Sequence, residues 1–240
     1  VYYRQGQYER ALEYYQKSLD IRIRVFGSDH PDVADSFNNI GVVYEKKGDL
    51  ENALVQHQKA LEIRTRVFGS DHLDVAKTRE NMAIIYQDQG HYDQALEIYK
   101  SVLETKIRVC GHEHPDVAAS YNNIGEVYRK QGKYEEALEY YQKALEIDIK
   151  VSGQDHPDVA TSKYNIANLK ETQGDLEGAR RLFLECQQIY LKVFGADHGE
   201  TLDAAMRALT VGAEEEHEEG EEGDSDQGEE EDQAGDSGER

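Results

Sequence analysis

A period of 42 residues constrains this chain more than any other feature in it. Gly6, Gly48, Gly90, Gly132 and Gly174 stand 42 residues apart, as do Gly27, Gly69, Gly111, Gly153 and Gly195. His30, His72, His114, His156 and His198 follow each second glycine by three residues. The only prolines, Pro31, Pro115 and Pro157, take the position after the histidine. A fixed period of this length is the signature of stacked repeats, each one supersecondary unit.

Within a unit the spacing is helical twice over. Val117, Tyr121, Ile124 and Tyr128 form one apolar stripe, and Ala137, Leu138, Tyr141, Ala144 and Leu145 form a second. Proline suits a first helical turn, where its missing N–H would be unpaired, and the following Asp116 faces the positive helix end. Gln131-Gly132 supplies the glycine that ends the first helix in a left-handed turn. Each unit therefore reads as a helix hairpin, whose single stripe cannot offset the chain entropy of ~40 residues alone. Stacking is obligatory. The predicted division is a partial repeat at 1–29, mainly a second helix, then repeats at 30–71, 72–113, 114–155 and 156–197. A closing helix at 198–211 and a disordered acidic tail at 212–240 complete it.

The tail is read from composition. From Ala213 to Arg240 there are 15 acidic residues against one basic, and Ala213 and Ala234 are the only apolar ones. Such a segment cannot bury enough to order itself. The whole chain carries −22. That balance excludes a nucleic-acid binder, which needs a basic surface for phosphates. No window approaches the ~20 apolar residues of a membrane span, and Val1-Tyr2-Tyr3-Arg4 is no signal peptide. The start without Met suggests a piece of something longer. Cys110 and Cys186 imply no disulfide framework and suit a reducing, cytoplasmic compartment.

The run Tyr121-x2-Ile124-Gly125-x2-Tyr128-x3-Gly132-x4-Ala137-x3-Tyr141-x2-Ala144 resembles the tetratricopeptide repeat. The long unit, with Phe68-Gly69-Ser70-Asp71-His72 and Ala118-x3-Asn122-Asn123-Ile124-Gly125, is similar to the repeats of kinesin light chains. The resemblance covers about residues 1–211. It implies an all-α, right-handed α-solenoid, and a protein–protein interaction scaffold rather than an enzyme. Heptads that would join a kinesin heavy chain are absent from these residues. Arg79 and Lys163 stand where Phe37 and Tyr121 supply a bulky side chain, and Lys170 stands where Tyr128 does.

Asn39, Asn81, Asn123 and Asn165 recur in the first helix, each one residue before the packing seam. First helices of tetratricopeptide arrays line the concave surface, so these carboxamides are expected to form a row across a groove. Each has one acceptor and two donors, the complement of a peptide unit. The resemblance to kinesin light chains implies that Asn at these positions engages a partner's peptide. The rival reading is that each Asn bridges neighbouring hairpins and binds nothing. Asn38 and Asn122 occupy the preceding position in two units. Lys77, Arg129 and Lys130 are candidate contacts for an acidic linear motif, although interleaved carboxylates also suit an ordinary solvated face.

The histidines stand one per connection and cannot share an ion whose Zn–N bonds are ~2.0 Å. They read as helix-starting groups. No metal or cofactor is expected, and no nucleophile, base and orienter recur together. The leading expectation is an adaptor holding an extended peptide of a partner. Its alternatives are an acidic-tailed chaperone or assembly factor for basic proteins such as histones, and a structural spacer of a larger protein.

Overall fold

Where Pro31 opens a unit, His30 is extended and its Nδ1 accepts the Asp32 N–H at 3.2 Å, capping the helix. The same cap recurs from His72 to Asp74, His114 to Asp116 and His156 to Asp158. Phe26, Phe68 and Phe194 stack on the imidazoles of His30, His72 and His198. The histidine row thus fixes helix starts, with one ring nitrogen used on backbone. Among the described residues no cluster of three metal-ligating side chains forms.

The computed structural model describes residues 2–224, with side chains through 211. After a 3-10 turn at Tyr3–Gln5, its helices are α1 Tyr8–Phe26, α2 Pro31–Lys46, α3 Leu50–Phe68, α4 Leu73–Asp88 and α5 Tyr92–Cys110. There follow α6 Pro115–Lys130, α7 Tyr134–Ser152, α8 Pro157–Thr172, α9 Leu176–Phe194 and α10 Gly199–Asp224. No strand occurs among the described residues. The fold is an α-solenoid of helix hairpins, whose first helices begin at Pro31, Leu73, Pro115 and Pro157. Gly132 has φ +74°, where the Lys133 N–H turns back to the Tyr128 carbonyl at 2.9 Å. That left-handed turn requires glycine.

The chain divides into two compact units, Val1–Gly153 and Gln154–Arg240. In the first, each hairpin buries its own stripe and the next first helix closes over it. Ala83, Ala95, Leu96, Tyr99, Val117, Ile124 and Val127 form one such core. Tyr99, Tyr141 and His57 hold one register of the second helices and are essentially fully buried. They need small partners: a Cβ on Gly125 would stand 2.7 Å from the Tyr141 ring, and one on Gly41 would stand 2.8 Å from His57. An exposed ladder runs along one edge, pairing Arg66 with Asp29, Arg108 with Asp71, and Lys150 with Glu113.

In the second unit α9 lies between α8 and α10, with Ala167, Ala179, Phe183, Ala208 and Val211 as its core. Lys163 and Lys170, at the two aromatic positions, pair with Glu185 and Asp175. Cys186 is buried, its thiol directed to the Ala160 carbonyl at 3.1 Å, and burial pushes its pKa up to about 12. It is a filler, not a nucleophile. The closing helix is longer than the sequence suggested: α10 continues helical past residue 211 to Asp224. The rest of the expected tail, from residue 225, lies outside the described residues.

Candidate peptide-binding site

In the first unit the candidate residues sit on α2, α4 and α6, the first helices of successive repeats. Asn39 is exposed on α2. Asn81 and Asn123 are half-buried, because each reaches back to the repeat before it. Asn81 Nδ2 donates to Asn38 Oδ1 at 3.0 Å, and Asn123 Nδ2 donates to Glu80 Oε1 at 3.0 Å. The bridging role that the sequence allowed as a rival is therefore present at two positions. Each bond uses one of two N–H groups, leaving the carbonyl oxygen and the second N–H outside it. Asn122 is half-buried and engaged in polar contact. Asn165 lies on α8, in the second unit, and is also half-buried.

The bridges end on half-buried Asn38 and Glu80, which in turn meet buried polar side chains that sequence reasoning did not single out. Asn38 Oδ1 also lies 3.1 Å from Nδ1 of His57, which is wholly buried and whose Nε2 lies 2.6 Å from Glu45 Oε1. Glu80 accepts from Lys106 Nζ at 3.0 and 3.2 Å, and the same Nζ donates to Ser120 Oγ at 2.9 Å. Lys106 belongs to its own 42-residue register. Arg22 bonds the Asp32 carbonyl at 2.7 Å and Ser36 Oγ at 2.9 Å. Arg64 bonds the Asp74 carbonyl, Thr78 at 2.6 Å and Asp35 at 2.5 Å. Each cation fastens a second helix to the next first helix. The signal was legible in principle: Arg22, Arg64 and Lys106 recur at 42-residue intervals opposite Ser36, Thr78 and Ser120, until Asp148 breaks the row.

The cations proposed for an acidic ligand divide. Lys77 is exposed on α4. Arg129 is already held by Glu126 through two bonds, Nε at 2.8 Å and Nη2 at 2.7 Å, and Lys130 stands 3.6 Å from Asp88. Glu126 also accepts from Tyr141 Oη at 2.9 Å. Burial pushes the Glu126 carboxyl up, but the hydrogen bonds from Arg129 and Tyr141 outweigh it and hold the group below 4.5. The face is mixed in charge and largely self-paired, with Lys77 its exposed cation among these candidates.

Because both bridges stand half-buried, Asn81→Ala with Asn123→Ala is expected to lower stability by about 1 to 3 kcal/mol in total, despite alanine's better helix propensity. A thermal melt of the double variant checks this. An unchanged melt would show that the bridges contribute nothing.

These hairpins, their interlocking first helices and the capped connections define a helical-repeat protein of the tetratricopeptide class. The tetratricopeptide repeat model matches residues 1–63, 36–108, 75–150 and 116–192, and the chain belongs to that family, whose members are non-catalytic interaction scaffolds. Solved structures agree in fold. A Podosopora anserina kinesin light chain-type protein of nearly identical TPR-like repeats superposes with a TM-score of 0.65 at 23% identity, over 80% of this chain and 92% of that one. BtubC (BKLC) from P. vanneervenii gives a TM-score of 0.69 at 17% identity over 97% of each. The apo form of RapI gives 0.66 at 18% identity, over 89% of this chain and 80% of that one. A comparison with curated proteins yields no significant match. No described helix is long and apolar enough to cross a membrane.

Proposed function

We propose that the face formed by α2, α4 and α6 holds an extended peptide segment of a partner protein, read mainly through its backbone. The observation that carries this reading is the recurrence of Asn39, Asn81 and Asn123 at one register of three successive first helices, each with donor and acceptor atoms outside the bridging bonds. If packed first helices are ~10 Å apart and an extended chain advances ~3.3 Å per residue, one Asn serves about every third peptide residue. The bridges support the arrangement. They fix the carboxamides before the ligand arrives, so little side-chain entropy is lost on binding.

Side-chain selectivity on this face is modest. Arg129 and Lys130 already have carboxylate partners, and Lys77 supplies the exposed charge for an acidic residue of the ligand. The likeness to kinesin light chain-type repeats supports an adaptor role, and two free cysteines suit the cytoplasm.

The test uses peptides selected from a random library against the full chain. Asn39→Ala removes an exposed carboxamide that stabilises nothing buried, so affinity is expected to fall by roughly fivefold, the worth of about one hydrogen bond. The melt should not move. Peptides that bind Asn39→Ala and the natural chain equally would count against the reading.

A further inference from the structure

The face of α10 turned away from α9 exposes a stripe of large apolar side chains. Thr201, Ala204, Ala208 and Val211 are buried on its inner side. Leu202, Met206 and Leu209, at i, i+4 and i+7, are 53%, 65% and 73% exposed. Three large apolar side chains in one helical stripe are not scattered surface residues.

The 42-residue register says what that stripe corresponds to. Leu202 occupies the position of Ala34, Ala76, Ala118 and Ala160, and Leu209 that of Gly41, Ala83, Gly125 and Ala167. In the complete repeats those residues are buried, and they face the repeat's own second helix: Gly41 lies under His57, Gly125 under Tyr141, and the Ala160 carbonyl takes the Cys186 thiol. In α10 the same face is bare. The sequence that follows, with Ala213 and Ala234 as its apolar residues, has no stripe to cover it.

We infer that this face is a docking surface for a basic amphipathic helix of a partner protein, which lies where the complete repeats carry their own second helix. Charge selects that occupant. Glu200 and Asp203 lie on α10, 15 acidic residues against one basic follow from Ala213, and Arg207 is already paired with Glu171. A helix lying along Leu202, Met206 and Leu209 with Lys or Arg beside its apolar stripe is attracted by this acidic sequence, which favours both encounter and orientation. An anionic membrane would be repelled. A second copy fits badly. It carries the same net charge of −22, so its acidic surface repels the acidic sequence that follows α10.

The test is binding of a labelled Leu/Lys peptide of roughly 18 residues, about five helical turns, with leucines at helical spacing. The control has the same composition in strict alternation, which gives no helical stripe. The full chain should bind the helical pattern. Leu202→Glu with Leu209→Glu should weaken it by roughly tenfold or more, since central apolar anchors dominate such interfaces. The melt should be unchanged, because both side chains are exposed. The substitution adds two negative charges, so attraction by charge alone would strengthen binding of a Lys-rich peptide. Leu209→Ser repeats the test without added charge. Equal or tighter binding to the variants, or equal binding of the alternating control, would overturn the inference.

Discussion

Lys106→Ala is expected to cost about 3 to 5 kcal/mol, because removing one partner of a buried ion pair leaves the other uncompensated. Lys106 is 7% exposed, and its ammonium is the meeting point of Glu80 and Ser120. Its loss leaves a carboxylate with only the Asn123 carboxamide, and a serine hydroxyl without its donor. At roughly 2 to 4 °C per kcal/mol for a chain of this size, the melt of the first unit should fall by about 10 °C. Lys106→Met paired with Glu80→Gln removes both charges, keeps the volume and retains an acceptor for Asn123. It should recover most of the loss. Similar melts for the single and paired variants would show that the ion pair is not what fastens α5 to α4 and α6.

The second large effect belongs to Tyr141. Its ring is fully buried against Gly125, and its hydroxyl donates to Glu126. Tyr141→Ala should cost about 3 to 5 kcal/mol through the lost apolar area and the cavity left behind. Tyr141→Phe keeps the ring and loses only the hydrogen bond to a carboxylate, worth about 1.5 kcal/mol. The pH dependence separates the two contributions. Glu126 is held below 4.5, so the stability it contributes is fully present above that value and is lost as pH falls through its folded pKa. The phenylalanine variant should therefore differ from the natural chain at neutral pH and converge on it at lower pH. The alanine variant should stay less stable throughout. A constant gap for Tyr141→Phe across that range would show that the hydroxyl contributes nothing through the carboxylate.

The repeat boundaries were legible because glycine, histidine and proline each have a local reason to stand where they do. A left-handed turn needs Gly132, and a capped helix start uses His114 and Pro115. None of this depends on knowing the neighbour across the stack. The candidate face was only half legible for the opposite reason. Whether Asn81 points to solvent or to Asn38 is decided by a residue 43 positions away, in another repeat. Arg129 reads as an available cation until Glu126, three residues earlier, is seen to hold it with two bonds. The inter-repeat cations were missed because Arg22, half-buried, and Arg64 and Lys106, buried, look like surface residues one at a time. Their burial follows from the Ser or Thr opposite, and a period search over polar as well as apolar positions would have found the pairing. The length of α10 was underestimated because composition speaks against packing, whereas the backbone stays helical as far as Asp224.

The central claim, that a partner's peptide lies across the first helices, is tested most directly by where a bound peptide can be cross-linked. A photoreactive side chain is placed in turn at Lys77 on α4, at Val67 on α3 and at Leu209 on α10, all exposed. Each full-length variant is irradiated with a library-selected peptide whose affinity falls in Asn39→Ala. The account predicts capture from position 77 and none from 67 or 209. Capture from 67 or 209 with none from 77 would contradict it.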